Sequence, residues 1–125
     1  MTKEQITFNV LFRSPKYPVI VITDDGLASA YNIQQLGTLC VLSEPFDDDD
    51  NIKVIDSNGE EFIYYPEHTS LIPAIINRKW TKKRIIELYN NSTHATESGE
   101  EYPLKSLSSK RLSRIIGDIC ELLKS

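Results

Sequence analysis

Two histidines and two cysteines are all the chain has of the side chains that most often bind metals or carry nucleophilic chemistry. Neither His68 nor His94 sits in a metal-binding pattern, so no metal ligand and no cofactor is read from the sequence. Cys40 and Cys120 lie far apart, and Cys40 falls in an apolar run where a thiol is inert packing; both are expected buried and reduced. There is no Gly-rich phosphate loop, no Gly-x-Ser-x-Gly elbow and no His-Glu-x-x-His. No catalytic residue is assigned and an enzyme is not expected; a triad assembled in space from Cys40, His68 and an aspartate is the enzyme reading left over. Long hydrophobic runs are missing too: the longest holds about six residues, against the roughly 20 of a membrane span. The polar start Met1-Thr2-Lys3-Glu4-Gln5 leads into no apolar core of a signal peptide, so no leader is expected. These shortages leave a cytoplasmic protein folded as a single domain over residues 1–125.

Charge, by contrast, is plentiful and uneven. The net charge is −4, but residues 1–66 hold 11 acids and 4 bases while residues 67–125 hold 7 acids and 10 bases. Eight carboxylates crowd between Glu44 and Glu61, with Lys53 the one base among them. Such polarity speaks of partners and steering rather than of fold.

The clearest structural statement is Ile52–Tyr65. Two runs rich in β-branched and aromatic residues, Ile52-Lys53-Val54-Ile55 and Glu60-Glu61-Phe62-Ile63-Tyr64-Tyr65, flank a turn containing Asn58-Gly59, which predicts a hairpin. Alternation over Ile6–Phe12 predicts a strand with Ile6, Phe8, Val10 and Phe12 on its apolar face. Val19–Ile22 is a continuous apolar run, fitting a strand covered on both faces, and Leu27–Asn32 reads as its return across Asp24-Asp25-Gly26. A helical turn at Ile33–Leu36 is expected to end at Gly37, followed by a strand over Thr38–Leu42. Pro73 within Leu71–Ile76 fits the first turn of a helix or an edge strand, and the edge strand is preferred because Thr81 then caps a separate helix. Thr81 caps a helix whose inward residues are Ile85, Ile86, Leu88 and Tyr89, and residues 93–102 are expected to form a mobile loop. Leu112, Ile115, Ile116, Ile119, Leu122 and Leu123 recur at helical spacing behind Ser108 or Ser109 as N-cap, and Gly117 is expected where this helix packs closely on the sheet. The sum is an α+β fold: a mostly antiparallel sheet of about five to six short strands, with two main helices, about 81–91 and 109–124, packed on one face.

Two charged stretches are candidates for function. Asp47-Asp48-Asp49-Asp50 invites a calcium reading, but a loop counted from Asp47 puts Ile52 at the glycine position and Asn58 at the glutamate position. The plainer reading is a solvated loop that discourages sheet-edge pairing. Arg78-Lys79-Trp80-Thr81-Lys82-Lys83-Arg84 offers five cations and one aromatic in seven residues, enough to hold phosphates and stack a base. Against it stand the acidic net charge and the position of Lys82, Lys83 and Arg84 in the first turn of a helix, where cations oppose the dipole. A tryptophan beside a helix start is more often a core anchor.

An acidic, compact chain with short strands, the Ile55-Asp56-Ser57-Asn58-Gly59 hairpin and then helices resembles, in type and layout, the immunity proteins of bacterial toxin–immunity systems, including contact-dependent growth inhibition. The resemblance implies a protein that binds and neutralises one cognate toxin domain, often a basic nuclease. On the residues themselves, the partner-binding surface expected is Asp47, Asp48, Asp49, Asp50, Glu60 and Glu61 with whichever of Tyr64 and Tyr65 points outward. The alternatives are a small regulatory or adaptor domain with another protein partner, and a nucleic-acid binder using Arg78, Lys79, Trp80, Lys82, Lys83 and Arg84.

Overall fold

The computed structural model describes residues 8–23, 26–42, 51–74 and 79–124. Within them the sheet is built outward from the Val19–Ile22 run. Val19, Ile20 and Val21 are fully buried in β2 (Val19–Thr23), which a strand achieves only when both of its faces are covered. On one side β2 pairs antiparallel with β3 (Gly26–Ala30), and on the other with β4 (Lys53–Ile55). β4 turns back into β5 (Glu61–Tyr65), and β5 pairs antiparallel with β6 (Ser70–Pro73) through the register Ile63–Ile72 and Tyr64–Leu71. β1 (Asn9–Val10) closes the far edge, parallel to β6. The strand order is β1-β6-β5-β4-β2-β3, an α+β sheet in which β1 and β6 form the one parallel pair among the described residues.

Helices lie on both faces. On the first, α2 (Lys82–Asn90) and α5 (Leu112–Lys124) bury Ile85, Ile86, Tyr89, Ile115, Ile116 and Ile119 against Ile20 and Ile55. Each fully buried isoleucine contributes about 1.5–3 kcal/mol of transfer free energy. Thr81 caps α2 as expected, its hydroxyl accepting from the Arg84 N–H at 3.2 Å. On the second face, Val19, Val21, Val54, Phe62, Tyr64 and Leu71 meet Leu36 and Cys40 of α1 (Ile33–Leu42).

That helix corrects the expectation of a turn and then a strand over Thr38–Leu42. Asn32 caps it, accepting from Gln35 N–H at 2.8 Å, and Leu36 and Cys40 face the sheet at helical spacing. Gly37 does not end the helix. A Cβ there would stand 3.1 Å from the Phe8 ring, so the glycine lets Phe8 lie against the helix. Residues 93–102 are likewise more ordered than a mobile loop. Thr93–Ser98 forms a helix, α3, capped by the Ser92 hydroxyl and ended by Gly99 at φ 73°. Ser108 and Ser109 belong to a separate short helix, α4 (Ser106–Ser109), and the first carbonyl bond of α5 is taken by Arg111 instead. Gly117 sits in open space rather than at a close packing contact. Pro73 does end a strand, but β6 is not an edge: β1 pairs with Ser70 and Leu71 and stops short of the proline. Ile6 and Thr7 of the expected first strand lie outside the described residues. At its other end Phe12 leaves the apolar face altogether.

Candidate functional site

The β4–β5 turn organises the surface around it. Asp56 is 2 % exposed, and its carboxylate accepts three backbone N–H groups: Asn58 at 2.9 Å, Glu60 at 3.0 Å and Lys16 at 3.1 Å. The first two close the turn, and the third ties in a segment 40 residues earlier. Gly59 N–H bonds the Asp56 carbonyl at 2.9 Å, and Gly59 takes φ 79° while Asn58 does not take a positive φ. The turn is therefore a three-residue loop with a left-handed glycine rather than a two-residue Asn-Gly turn. A side chain at 59 would meet the Trp80 carbonyl at 2.9 Å and Leu112 at 2.8 Å. Glycine is needed there for both conformation and space.

Around this hub the candidate residues fall as follows. Glu60 pairs with the Arg13 guanidinium at 3.0 Å. Glu61 accepts the Trp80 indole N–H at 3.0 Å, and the Arg84 guanidinium lies 4.1 Å from the centre of the Trp80 ring. The indole N–H and a ring face of Trp80 are thus already engaged, and its remaining edge packs on the α2–α5 core. Lys82 donates to the Leu107 carbonyl at 3.3 Å, Lys83 approaches Glu87 at 4.0 Å, and Lys79 is exposed. Tyr64 is 3 % exposed with its ring 5.9 Å from that of Phe8, so Tyr65 is the outward member of the pair. Asp47, Asp48, Asp49, Asp50 and Arg78 lie outside the described residues.

One further surface was not read from the sequence. Strand register places Leu27, Ile22, Lys53, Ile63 and Ile72 in a row across the face that carries α2 and α5, with Tyr65 and Ser70 beside it. The helices close the β3, β2 and Ile55 part of this face. Ile63, Tyr65 and Ile72 belong to neither core cluster and remain partly exposed, with Lys53 fully at the surface. Leu11, 41 % exposed, extends the row: its N–H bonds the Leu71 carbonyl at 3.0 Å, one residue past the Val10–Leu71 pair. Among the described residues this part of the face is therefore a partly exposed apolar strip, with Glu60, Glu61 and Trp80 at the end of β5 where the hub lies. Its sequence signal was the apolar alternation of Ile63 and Tyr65 with Phe62 and Tyr64, which leaves two apolar faces where a surface hairpin needs one.

Elsewhere the polar clusters hold the fold. Asp118 accepts from Lys110 Nζ at 2.8 Å, from the Tyr102 hydroxyl at 2.7 Å and from Arg114 Nε at 3.1 Å. Burial works against the Asp118 carboxylate, but the bonds from Lys110 and Tyr102 outweigh it and hold its pKa below the usual 3.8. Asn90 clamps the Tyr102 backbone through both its amide groups. The Tyr89 hydroxyl is buried without a partner in hydrogen-bonding geometry; burial raises its pKa, with Ser98 near enough only to oppose the rise. Burial pushes both thiols, Cys40 and Cys120, up to about 12. They lie on opposite faces of the sheet. His68 is exposed on a 3-10 turn, Pro66–His68, and among the described residues no three His, Cys, Asp or Glu side chains gather where a metal ion would be held. Among the described residues no helix is long and apolar enough to cross a membrane.

No protein-family model matches the chain, and no curated protein or solved structure is significantly similar to it.

Proposed function

We propose that this is a cytoplasmic immunity protein that binds and neutralises a cognate toxin domain, a basic nuclease-type domain being the partner its charge favours. The observation that carries the reading is the partly exposed apolar strip on the sheet. A fold with two substantial helices on this face has left Ile63, Tyr65 and Ile72 partly exposed beside a segment dense in carboxylates. A partly exposed apolar strip on a chain with an acidic excess suits a protein interface: the strip supplies desolvation and the net charge steers the encounter. Tyr65 is the aromatic on that strip, and Asp47–Asp50, which lie outside the described residues, precede β4 in the sequence. Carboxylates facing a basic domain also fill the groove where phosphates would otherwise lie.

The test is co-expression and binding with the toxic domain encoded beside this chain. Wild type should restore growth and bind in the nanomolar range. Asp47–Asp50 changed together to asparagine should slow association and flatten its salt dependence, whereas Tyr65→Ala should speed dissociation by about tenfold or more. Absence of binding and of protection by wild type would overturn the reading.

A further inference from the structure

We infer that the free edge of β3 pairs antiparallel with β3 of a second copy of this chain, joining two six-stranded sheets about a two-fold axis at Ala28. This edge is separate from the strip of Ile63, Tyr65 and Ile72, which lies on β5 and β6, so self-pairing and toxin binding stand or fall apart. The sheet's own ladder decides which backbone groups are left over. Tyr64 N–H bonds the Ile52 carbonyl, and Asp56 N–H bonds the Glu60 carbonyl. Phe62 and Tyr64 therefore turn their backbone groups toward β4, and Val54 and Asp56 turn theirs toward β5. Alternation carries this across the sheet. Lys53 and Ile55 bond Ile22 and Ile20 of β2, which leaves Val19, Val21 and Thr23 to bond Ala30, Ala28 and Gly26 of β3. The N–H and C=O groups of Leu27 and Ser29 point out of the sheet. β3 ends the strand order, and among the described residues nothing bonds these four groups. The next outward N–H, that of Tyr31, is taken by Gln35 Oε1 at 2.7 Å, which stops pairing there.

The pattern of free groups fits its own copy. Antiparallel self-pairing sets Leu27 of one copy against Ser29 of the other, twice over, and every free group of both strands is used. A two-fold axis also sets like beside like, so a charged edge would repel itself. Gly26-Leu27-Ala28-Ser29-Ala30 holds no charge and no proline, in a chain where 26% of residues are charged. Sheet edges are ordinarily guarded by lysine, proline or a bulge. Beside this edge runs a groove of about 390 Å³, lined by Ser29 and by Gln34, Gln35, Thr38 and Leu39 of α1. The Ser29 hydroxyl is turned to the other face, donating to the Cys120 carbonyl at 3.0 Å, so Ser29 gives the groove its backbone. The polar side chains of the α1 wall are amides and a hydroxyl, which both donate and accept and so match their own copies. Leu42, 69 % exposed, follows Gln35 by seven residues on the same flank of α1 and adds apolar area to that wall. A short edge and one helix flank make a small interface, near the ~1,200 Å² lower bound of stable ones, so the association expected is micromolar.

Sedimentation of the full chain over about 1 μM to 1 mM should show the mass doubling, with a midpoint of about 10–100 μM. Ser29→Pro removes an outward N–H that the monomer does not use, a change that sheet edges tolerate, and should weaken association about tenfold or more. Ser29→Ala loses only the hydroxyl bond to Cys120 and should associate as wild type does. Ala28→Cys puts two thiols on the axis at a non-hydrogen-bonded pair, with Cα atoms about 4.5 Å apart and within disulfide reach. Mild oxidation should link that variant into a covalent dimer, whereas Ser108→Cys, at an exposed site on α4, should stay unlinked. Cys40 and Cys120 are buried and add no link of their own. A monomer throughout the concentration range, Ser29→Pro associating as wild type does, or equal linking at positions 28 and 108 would each overturn the inference. Where Ser29→Pro fails to fold by circular dichroism, the comparison of positions 28 and 108 decides.

Discussion

Asp56 gives the sharpest test of how the hairpin is held, because its two carboxylate oxygens do different work. Oδ1 accepts from Asn58 and Glu60 and closes the turn, while Oδ2 accepts from Lys16 and ties in the segment that carries Phe12. Changing Asp56 to asparagine keeps an oxygen for the turn but sets an amide N–H2 against the Lys16 N–H, donor against donor. Changing it to alanine removes all three bonds. A hydrogen bond to a charged group contributes about 1.5–3 kcal/mol, so Asp56→Asn should cost about 2 kcal/mol. Asp56→Ala should cost about 4 kcal/mol, because part of the loss is recovered by water reaching an opened turn. With a urea slope of about 2 kcal/mol/M, the midpoints should fall by roughly 1 M and 2 M. Amide exchange separates the two effects: the Lys16 amide should lose protection in both variants, and the Asn58 and Glu60 amides only in Asp56→Ala. Equal midpoints for the two variants, or an asparagine variant indistinguishable from wild type, would refute the division of labour between the oxygens.

Gly117 meets nothing within 4 Å where a Cβ would stand and lies inside α5, so Gly117→Ala should raise stability by about 0.5–1 kcal/mol in the same assay. With their pKa pushed to about 12, the two thiols should react with a thiol reagent at pH 8 more than about a thousandfold slower than a free cysteine of pKa ~8.5, and both should be titrated in denaturant. Asp118 has a pKa held below 3.8 by Lys110 and Tyr102, so its contribution is present above that pH and lost as the pH falls through the lowered value. Asp118→Asn should therefore lower the urea midpoint at pH 7, and the gap to wild type should close under strong acid.

What the sequence made legible follows from how local each signal was. The hairpin, the Thr81 cap and the periodic apolar face of α5 are each carried by a few neighbouring residues, and each stands in the structure. The helix over Ile33–Leu42 was obscured by Gly37, which reads as a terminator and is in fact room for Phe8, a residue far away in the chain. Gly117 stands in open space and Phe12 has left the strand's apolar face, and no local pattern states either. Of the candidate surface, the carboxylates and the tyrosine pair could be named in advance, but which tyrosine faces out depends on strand register. The engagement of Glu60 and Glu61 depends on Arg13 and Trp80 arriving from other parts of the chain. The partial exposure of Ile63, Tyr65 and Ile72 depends on how far the helices reach, which no local pattern states.

The two core clusters lie on opposite faces of the sheet, one beneath α2 and α5 and the other beneath α1. Their buried side chains do not intermingle, and the strands' backbone is the partition between them. Substitutions in one compartment then leave the packing of the other unchanged, so their effects on stability should simply sum. The chain therefore gains latitude to vary: the side chains beneath α2 and α5 can be exchanged while α1 and the residues beneath it keep their own packing.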